Sequence, residues 1–162
     1  MTKIAIDSDI FFFTFRSSRE DVNPPDVERR LRALSNNPKV DLFVPISVIG
    51  ECVIECLREE CHPRDRHGVR EIDRLTDLWA GLDLKFLYPN ELVAKVCYQL
   101  VERYKVGSDR DRRLTDTDLV HIGYALAHEM DYFLTTDKAL KHYIPQKAKL
   151  KVIKLEESKD LF

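Results

Sequence analysis

Short apolar runs alternate along the chain with longer segments in which apolar residues recur every three or four positions. The runs cover residues 4–6, 42–44, 84–88, 132–134 and 152–153. Runs of this length between turn residues are typical of strands that are buried on both faces. The segments with helical spacing begin near residue 9 and then cover residues 24–35, 48–57, 72–79, 92–104 and 119–127. Strands that alternate with helices predict an α/β fold, a three-layer α/β/α sandwich around a mostly parallel central sheet of four to five strands.

Length and composition predict a single domain. The chain has 162 residues, of which 44% are hydrophobic, and this is enough for one core of ordinary size. Two polar, charged segments, residues 58–70 and 105–113, interrupt the helical pattern and are predicted to be loops. We expect one domain over residues 1–155, followed by a charged C-terminal tail at residues 156–162.

Charge and cysteine content narrow the class of protein. The net charge of −2 and the isoelectric point near 6.2 do not indicate a nucleic-acid binder, so any such role depends on local charge. The apolar opening of the chain is interrupted by Asp7 and Asp9 and is therefore neither a signal peptide nor a membrane span of about 20 residues. Four cysteines without a secretory signal indicate reduced thiols. We expect a soluble, cytoplasmic protein with no membrane contact.

Four acidic residues are placed to meet at one edge of the predicted sheet. Asp7 directly follows the first strand, and Asp137 follows the fourth strand after two threonines. Glu51 lies in the helix after the second strand, and Asp118 begins the helix before the fourth. Sites in open parallel sheets lie at the carboxyl ends of the strands. Carboxylates brought together there repel each other unless a cation neutralises them, and oxygen ligands favour Mg²⁺ or Mn²⁺.

Four segments of the chain resemble, in order, the four acidic motifs of the PIN-domain ribonuclease family, which includes the VapC-type toxins. They read MTKIAIDSDIF, VPISVIGECVIE, LTDTDLVHIGYALA and YFLTTDKAL, and the resemblance extends from near residue 3 to near residue 155. It implies that Asp7, Glu51, Asp118 and Asp137 are catalytic and bind the metal, with Ser8 as a supporting hydroxyl. Asp118 is preferred to Asp116 because the third acid of the family directly precedes the apolar helix.

The same resemblance implies an activity and partners. The expected activity is metal-dependent endoribonuclease cleavage of RNA phosphodiester bonds with Mg²⁺ or Mn²⁺ as cofactor. If the protein is the toxin of a toxin–antitoxin pair, a small antitoxin would block the cleft and the fold would pair as a homodimer. The chain departs from the family at Asp9, where a neutral residue is usual, so Asp9 is a candidate extra ligand. The charged segments at 58–70 and 105–113 are also long for the toxin subgroup.

Basic residues flank the acidic motifs. Six lysines and no acid occur between Lys138 and Lys154, and arginines and lysines cluster at 103–113. The candidate RNA contacts are Lys138, Lys141, Arg112 and Arg113. Such residues would offset the repulsion between the carboxylates and RNA phosphates. An ordinary solvated surface explains each cluster equally well.

Each acid also has an ordinary structural role open to it. Asp7, Asp9 or Asp137 would serve as the N-cap of a following helix. Thr115 and Asp118 have the spacing of a capping box. Glu51 fits a solvated helix face.

Three other functions stay open on these residues. One is a catalytically inactive PIN-fold module that binds RNA or serves as a scaffold. The others are a DNA nuclease and an aspartate-nucleophile phosphatase, since Asp7-Ser8-Asp9 supplies the D-x-D motif that the phosphatase class needs. Against the phosphatase, suitable Ser/Thr and Lys motifs are missing, and Glu51 has no role in that chemistry.

Two further features are better explained by packing. Cys52, Cys56, Cys61 and His62 invite a zinc interpretation, but the first two share an apolar helical stripe and paired C-x2-C motifs are absent. His121 lies one turn into an apolar helix and is expected to be a packed histidine. The phenylalanines at 11, 12, 13 and 15 are expected in the core or at a dimer contact.

Overall fold

The computed structural model describes residues 1–15, 23–61, 71–104 and 115–160. Within these ranges the strands are β1 (Thr2–Ile6), β2 (Val40–Pro45), β3 (Leu84–Leu87), β4 (Tyr132–Leu134) and β5 (Lys151–Ile153). The α-helices are α1 (Ser8–Phe12), α2 (Pro24–Ser35), α3 (Ile46–Cys61), α4 (Glu71–Ala80), α5 (Glu91–Tyr104) and α6 (Asp116–Ala127). Two 3₁₀ helices follow, at Lys138–Tyr143 and Glu157–Asp160. Among the described residues, none of the helices is both long and apolar enough to cross a bilayer.

The five strands form one parallel sheet in the order β3-β2-β1-β4-β5. The central strand β1 pairs with β2 and with β4, so that Ile4 lies opposite Leu42 on one side and Tyr132 on the other. The chain adds β2 and β3 on one side of β1 and then places β4 and β5 on the other side. The order therefore reverses between β1 and β4, and a crevice at the carboxyl ends of these strands is where a site is expected.

Successive side chains along a strand point to opposite faces of the sheet and belong to two separate hydrophobic cores. Ile4 and Ile6 of β1 pack on one face with α1, α2, α3 and α4, while Ala5 between them belongs to the opposite face with α5 and α6. This follows from the two-residue period of a strand. The three-layer α/β/α sandwich and the mostly parallel sheet are confirmed.

The structure corrects the boundary of one predicted loop. Helix α3 continues to Cys61, so residues 58–61 are helical, while residues 62–70 lie outside the described residues. The reason is local, since Leu57-Arg58-Glu59-Glu60 are all good helix formers and Arg58 pairs with Glu55 three residues earlier. The predicted loop at 105–113 also lies outside the described residues.

Helices α5 and α6 pack closely where Gly123 faces Cys97. The Cα of Cys97 would lie 3.2 Å from a Cβ added at Gly123, and the sulfur of Cys97 would lie closer still. Gly123 is buried, and Cys97 Sγ donates to the carbonyl oxygen of Val120 in the same contact. The missing side chain at position 123 therefore sets the distance between α5 and α6.

We expect Gly123→Ala to destabilise the fold by about 1–3 kcal/mol, because the added methyl group must push α5 and α6 apart. Gly50→Ala in α3 is the matched control, since no heavy atom lies within 4 Å of a Cβ added there. The control should raise stability by about 0.5–1 kcal/mol. Urea unfolding followed by circular dichroism measures both, and equal stability of the two variants would contradict this account.

Candidate active site

Asp7 is a buried carboxylate at the carboxyl end of the central strand. It is 4% exposed and has an extended backbone, and it caps the N-terminus of α1. Its Oδ1 accepts a hydrogen bond from the backbone N–H of Ser8 at 2.9 Å. The predicted N-cap role of Asp7 is thus confirmed. The same cap fixes the direction of a negative charge at the point where the strand order reverses.

His121 of α6 is the principal partner of Asp7. The ring is fully buried, and its Nδ1 lies 3.0 Å from Asp7 Oδ1. The carboxylate oxygen accepts, so Nδ1 carries the proton of this hydrogen bond. On the other side of the ring, Nε2 lies 3.7 Å from Glu51 Oε2 and has no hydrogen-bond partner. Burial alone would lower the pKa of His121, but the hydrogen bond to Asp7 and the charges of Asp7, Glu51 and Asp118 outweigh it, and the net pKa is raised.

Asp9 holds the turn that follows β4. Its Oδ2 accepts hydrogen bonds from the backbone N–H of Thr136 at 2.8 Å, from the Thr135 hydroxyl at 3.2 Å and from the Thr136 hydroxyl. Burial and the nearby charge of Asp7 raise the pKa of Asp9 to about 7, against the lowering effect of these bonds. Its Oδ1 is buried without a partner. Asp9 therefore has a structural task that the sequence did not predict, in addition to its candidacy as a ligand.

Asp118 lies in the first turn of α6 and closes the predicted capping box. Its Oδ2 accepts from the Thr115 N–H at 2.8 Å and from the Thr115 hydroxyl at 3.0 Å. Burial raises the pKa of Asp118, the bonds from Thr115 lower it, and the charge of Asp7 raises it further. Asp116 is exposed in the same turn. The net pKa of Asp118 is raised.

Asp137 and Glu51 lie at the rim of the site. Asp137 is exposed and caps the 3₁₀ helix at Lys138–Tyr143, where Oδ1 accepts from the Ala139 N–H at 2.8 Å. This is the predicted capping role. Glu51 has a side chain that is 31% exposed and faces the ring of His121. Ser8 is buried beside Asp7.

The structure thus brings most of the predicted site residues together around a histidine. Asp7, Asp9, Asp118 and Glu51 interact with one another directly or through His121. Asp137 is linked to this group through the turn held by Asp9, where its backbone N–H donates to the Thr135 hydroxyl at 3.1 Å. Among the described residues, however, no three His, Cys, Asp or Glu side chains are already arranged to hold a metal ion.

The donor set nevertheless fits a hard divalent cation in its chemistry. Its atoms are carboxylate oxygens, burial and the charge of Asp7 raise the pKa of Asp9 and of Asp118, and the Oδ1 of Asp9 is buried without a partner. Such repulsion and such an unpaired oxygen are both relieved by a cation. The caps formed by Asp118 and Asp137 each use one carboxylate oxygen, so the second oxygen of each would be available to the ion.

The lysine-rich run after Asp137 is divided between two edges of the sheet. Lys138 lies at the site edge and pairs with Glu157, whereas Lys149 lies at the opposite edge and pairs with Asp131. Lys141 is exposed. Arg112 and Arg113 lie outside the described residues. The run is therefore not one continuous basic face, although Lys138 directly follows Asp137.

The packing interpretations of the other features agree with the structure where it describes them. Cys52 and Cys56 are buried in the core, while the side chain of Cys61 and all of His62 lie outside the described residues. Phe11 and Phe13 are buried, and Phe12 and Phe15 pack against the same core.

Fold and site define a parallel α/β/α protein with an acidic centre at the reversal of strand order. The family model described as PIN domain matches residues 4–144. The chain belongs to the PIN-domain family. None of the curated protein sequences compared with the chain matches it.

Several solved structures share the fold at low sequence identity. VapBC2 from Rickettsia felis, bound to a promoter DNA fragment, superimposes with a TM-score of 0.65 at 12% identity over 94% of this chain and 98% of that one. VapBC-5 from Mycobacterium tuberculosis, of a family of toxin–antitoxin systems, gives 0.57 at 15% identity over 95% and 99%. VapC20 from M. tuberculosis, a toxin that cleaves the sarcin–ricin loop, gives 0.55 at 14% identity over 83% and 90%. At these identities the likeness shows the fold alone.

The residue that sequence reasoning missed is His121, which was correctly expected to be buried but not to bond an acid. One signal was available. His121 follows Asp118 by three positions, and residues at this spacing lie on the same face of a helix. A histidine on the face that begins with a candidate catalytic acid points toward the same site.

We expect Asp9→Asn to change the pH dependence of stability in chelator-treated protein. The folded pKa of about 7 lies above the ordinary value of 3.8, so the folded state retains a proton that the unfolded state loses, and wild-type stability falls as pH rises across this window. The amide cannot ionise but still offers an oxygen to Thr136. The free energy of unfolding is measured with urea at about pH 5 and about pH 8. Relative to wild type, the variant should be more stable at the higher pH than at the lower pH. If the difference in unfolding free energy between the variant and wild type is the same at both pH values, the raised pKa of Asp9 is wrong.

Proposed function

We propose that the protein is a metal-dependent endoribonuclease that hydrolyses RNA phosphodiester bonds with Mg²⁺ or Mn²⁺. The observation that carries the proposal is the buried Asp7 carboxylate at the carboxyl end of the central strand of a PIN-family chain, surrounded by Asp9, Asp118 and the Asp7–His121 hydrogen bond. Carboxylates that repel each other destabilise a fold that keeps them close together. A divalent cation removes this repulsion when it binds, and the relief contributes to its binding free energy.

Asp7, Glu51, Asp118 and Asp137 would hold the ion in this proposal. When bound, a divalent ion activates a water and stabilises the negative charge that develops on a phosphodiester. The chain itself orients the acids. The Ser8 N–H and His121 fix Asp7, and Asp9 fixes the turn that carries Asp137. Lys138 and Lys141 at the same edge would attract the phosphate backbone.

RNA is proposed as the substrate, and single-stranded or loop RNA suits a crevice at a sheet edge better than a duplex. We further propose the toxin of a toxin–antitoxin pair, a small antitoxin as partner and a homodimeric state. The support for this finer proposal is the shared fold with the VapBC proteins and with the RNA-cleaving VapC20.

One observation favours a second candidate, a PIN module that has lost catalysis and serves as an RNA-binding or scaffold subunit. In the part of the chain that the structure describes, the acids are engaged by hydrogen bonds rather than assembled around an ion position. The phosphatase alternative has less support, because Asp9 is engaged with Thr135 and Thr136 and Asp7 is almost inaccessible. Calorimetric titration with Mn²⁺ separates the two PIN candidates, since the inactive module would bind RNA without binding metal.

We expect Asp7→Asn and Asp118→Asn to reduce Mn²⁺-dependent cleavage of a single-stranded RNA by about 10³-fold, the equivalent of several kcal/mol of transition-state stabilisation. Asp116→Asn is the matched control, because Asp116 is exposed and lies in the same turn of α6 as Asp118. It should cleave like wild type. Equal cleavage by wild type and Asp7→Asn would show that Asp7 is not a catalytic acid. If only Asp116→Asn lost activity, the third acid of the site would be Asp116 and not Asp118.

A further inference from the structure

We infer that His121 is a positioning residue of the metal site, which fixes the Asp7 carboxylate through Nδ1. This inference rests on the proposed metal-dependent function and adds a residue outside the four acids. The role depends on the hydrogen bond between His121 Nδ1 and Asp7 Oδ1 and on the buried position of His121 in α6.

The hydrogen bonds of Asp7 leave one oxygen for an ion. The Ser8 N–H and the His121 Nδ1 both end on Oδ1, at 2.9 Å and 3.0 Å. Two donors on one oxygen fix both the rotation of the carboxylate and its distance from the end of β1. Oδ2 is then the oxygen that a metal ion would take. Metal ligands are commonly held by such outer hydrogen bonds, and the loss of one weakens metal binding.

His121 is also unusual for a histidine that only fills space. Buried polar atoms are nearly always hydrogen-bonded, yet Nε2 is buried and without a partner. It faces Glu51 Oε2 at 3.7 Å, beyond hydrogen-bond distance. The ring thus lies between two acids that reach the site from different elements, Asp7 after β1 and Glu51 on α3. A ring that served packing alone would gain nothing from this placement and would carry the cost of an unpaired nitrogen.

The surroundings of His121 make the position rigid. The residue is fully buried in α6, and Leu119 and Ile122 on the same helix belong to the core on one face of the sheet. Asp118 lies one turn earlier on the same helix. A shift of α6 would therefore move Asp118 and the support of Asp7 together. Geometry held by a packed second layer of residues is what a precise site requires.

Three substitutions at position 121 separate this role from its rivals. Asn places an amide nitrogen the same number of bonds from Cα as Nδ1 and can still donate to Asp7. Gln places its nitrogen or oxygen at the reach of Nε2, toward Glu51. Leu removes both contacts while keeping an apolar side chain in the core.

The test is calorimetric titration of the full chain with Mn²⁺ alone, with thermal unfolding in chelator as the measure of folding. We expect His121→Leu to weaken Mn²⁺ binding by about 10- to 100-fold. His121→Asn should restore the affinity to within about threefold of wild type, and His121→Gln should not. In metal-free protein, the ring ¹⁵N resonances should show a protonated Nδ1 whose shift changes in Asp7→Asn.

The other results overturn the inference, the proposed function, or both. Wild-type affinity in His121→Leu would show that the ring is dispensable. Equal loss in Leu, Asn and Gln would show a packing role alone, and retention in Gln but not in Asn would make Nε2 a direct ligand. Absence of Mn²⁺ binding in wild type would remove the proposed function and this inference together. Rescue by Asn without cleavage of RNA would retain the role of His121 and remove only the ribonuclease.

Discussion

The burial of the Asp7 carboxylate at the carboxyl end of β1 is the constraint on which the site depends. A charge taken out of water is costly unless hydrogen bonds and an opposite charge compensate it. Here the Ser8 N–H and His121 supply the hydrogen bonds, while Asp9 and Asp118 add charge of the same sign nearby. Burial and the charge of Asp7 raise the pKa of both Asp9 and Asp118. A bound cation would therefore stabilise this site, because it would reduce the repulsion between the carboxylates.

The same carboxylates serve the fold and the proposed chemistry. Asp7 caps α1, Asp118 closes the capping box of α6, and Asp137 caps a 3₁₀ helix. A helix N-terminus stabilises a carboxylate in its charged form, which is the form that binds metal. The structural and functional roles are therefore compatible in their electrostatics. Each of these caps uses one carboxylate oxygen, so the other oxygen stays available to an ion.

Asp9 shows how a departure from a family pattern can be absorbed by local structure. An extra acid two residues after Asp7 adds repulsion to a crowded site. In the turn after β4, three hydrogen-bond donors of Thr135 and Thr136 bond a single oxygen of Asp9 and stabilise it. The consequence is a link between the start of α1 and the turn that carries Asp137. Two of the four acidic segments are thus coupled mechanically through a residue that is not one of the four acids.

Much of the architecture was predictable from local patterns. The five apolar runs became strands, and the three-layer arrangement followed from their alternation with helices, because periodicity and burial are properties of neighbouring residues. The extent of α3 was not predicted, since charged helix formers such as Arg58 give no apolar signal. The lysine-rich run looked like one patch along the chain, but β5 is parallel to β4, so the connection between them must carry Lys149 to the opposite edge of the sheet.

The fold class, the family and the acids that follow the strands could be predicted from the amino-acid sequence, because each depends on the order and spacing of residues along the chain. Which acids face each other, and which side chain lies between them, depends on how the helices pack in the folded protein. His121 is 114 positions from Asp7 and 70 positions from Glu51 along the chain. No local pattern specifies such a contact, since it arises only when α6 packs against the sheet beside α3.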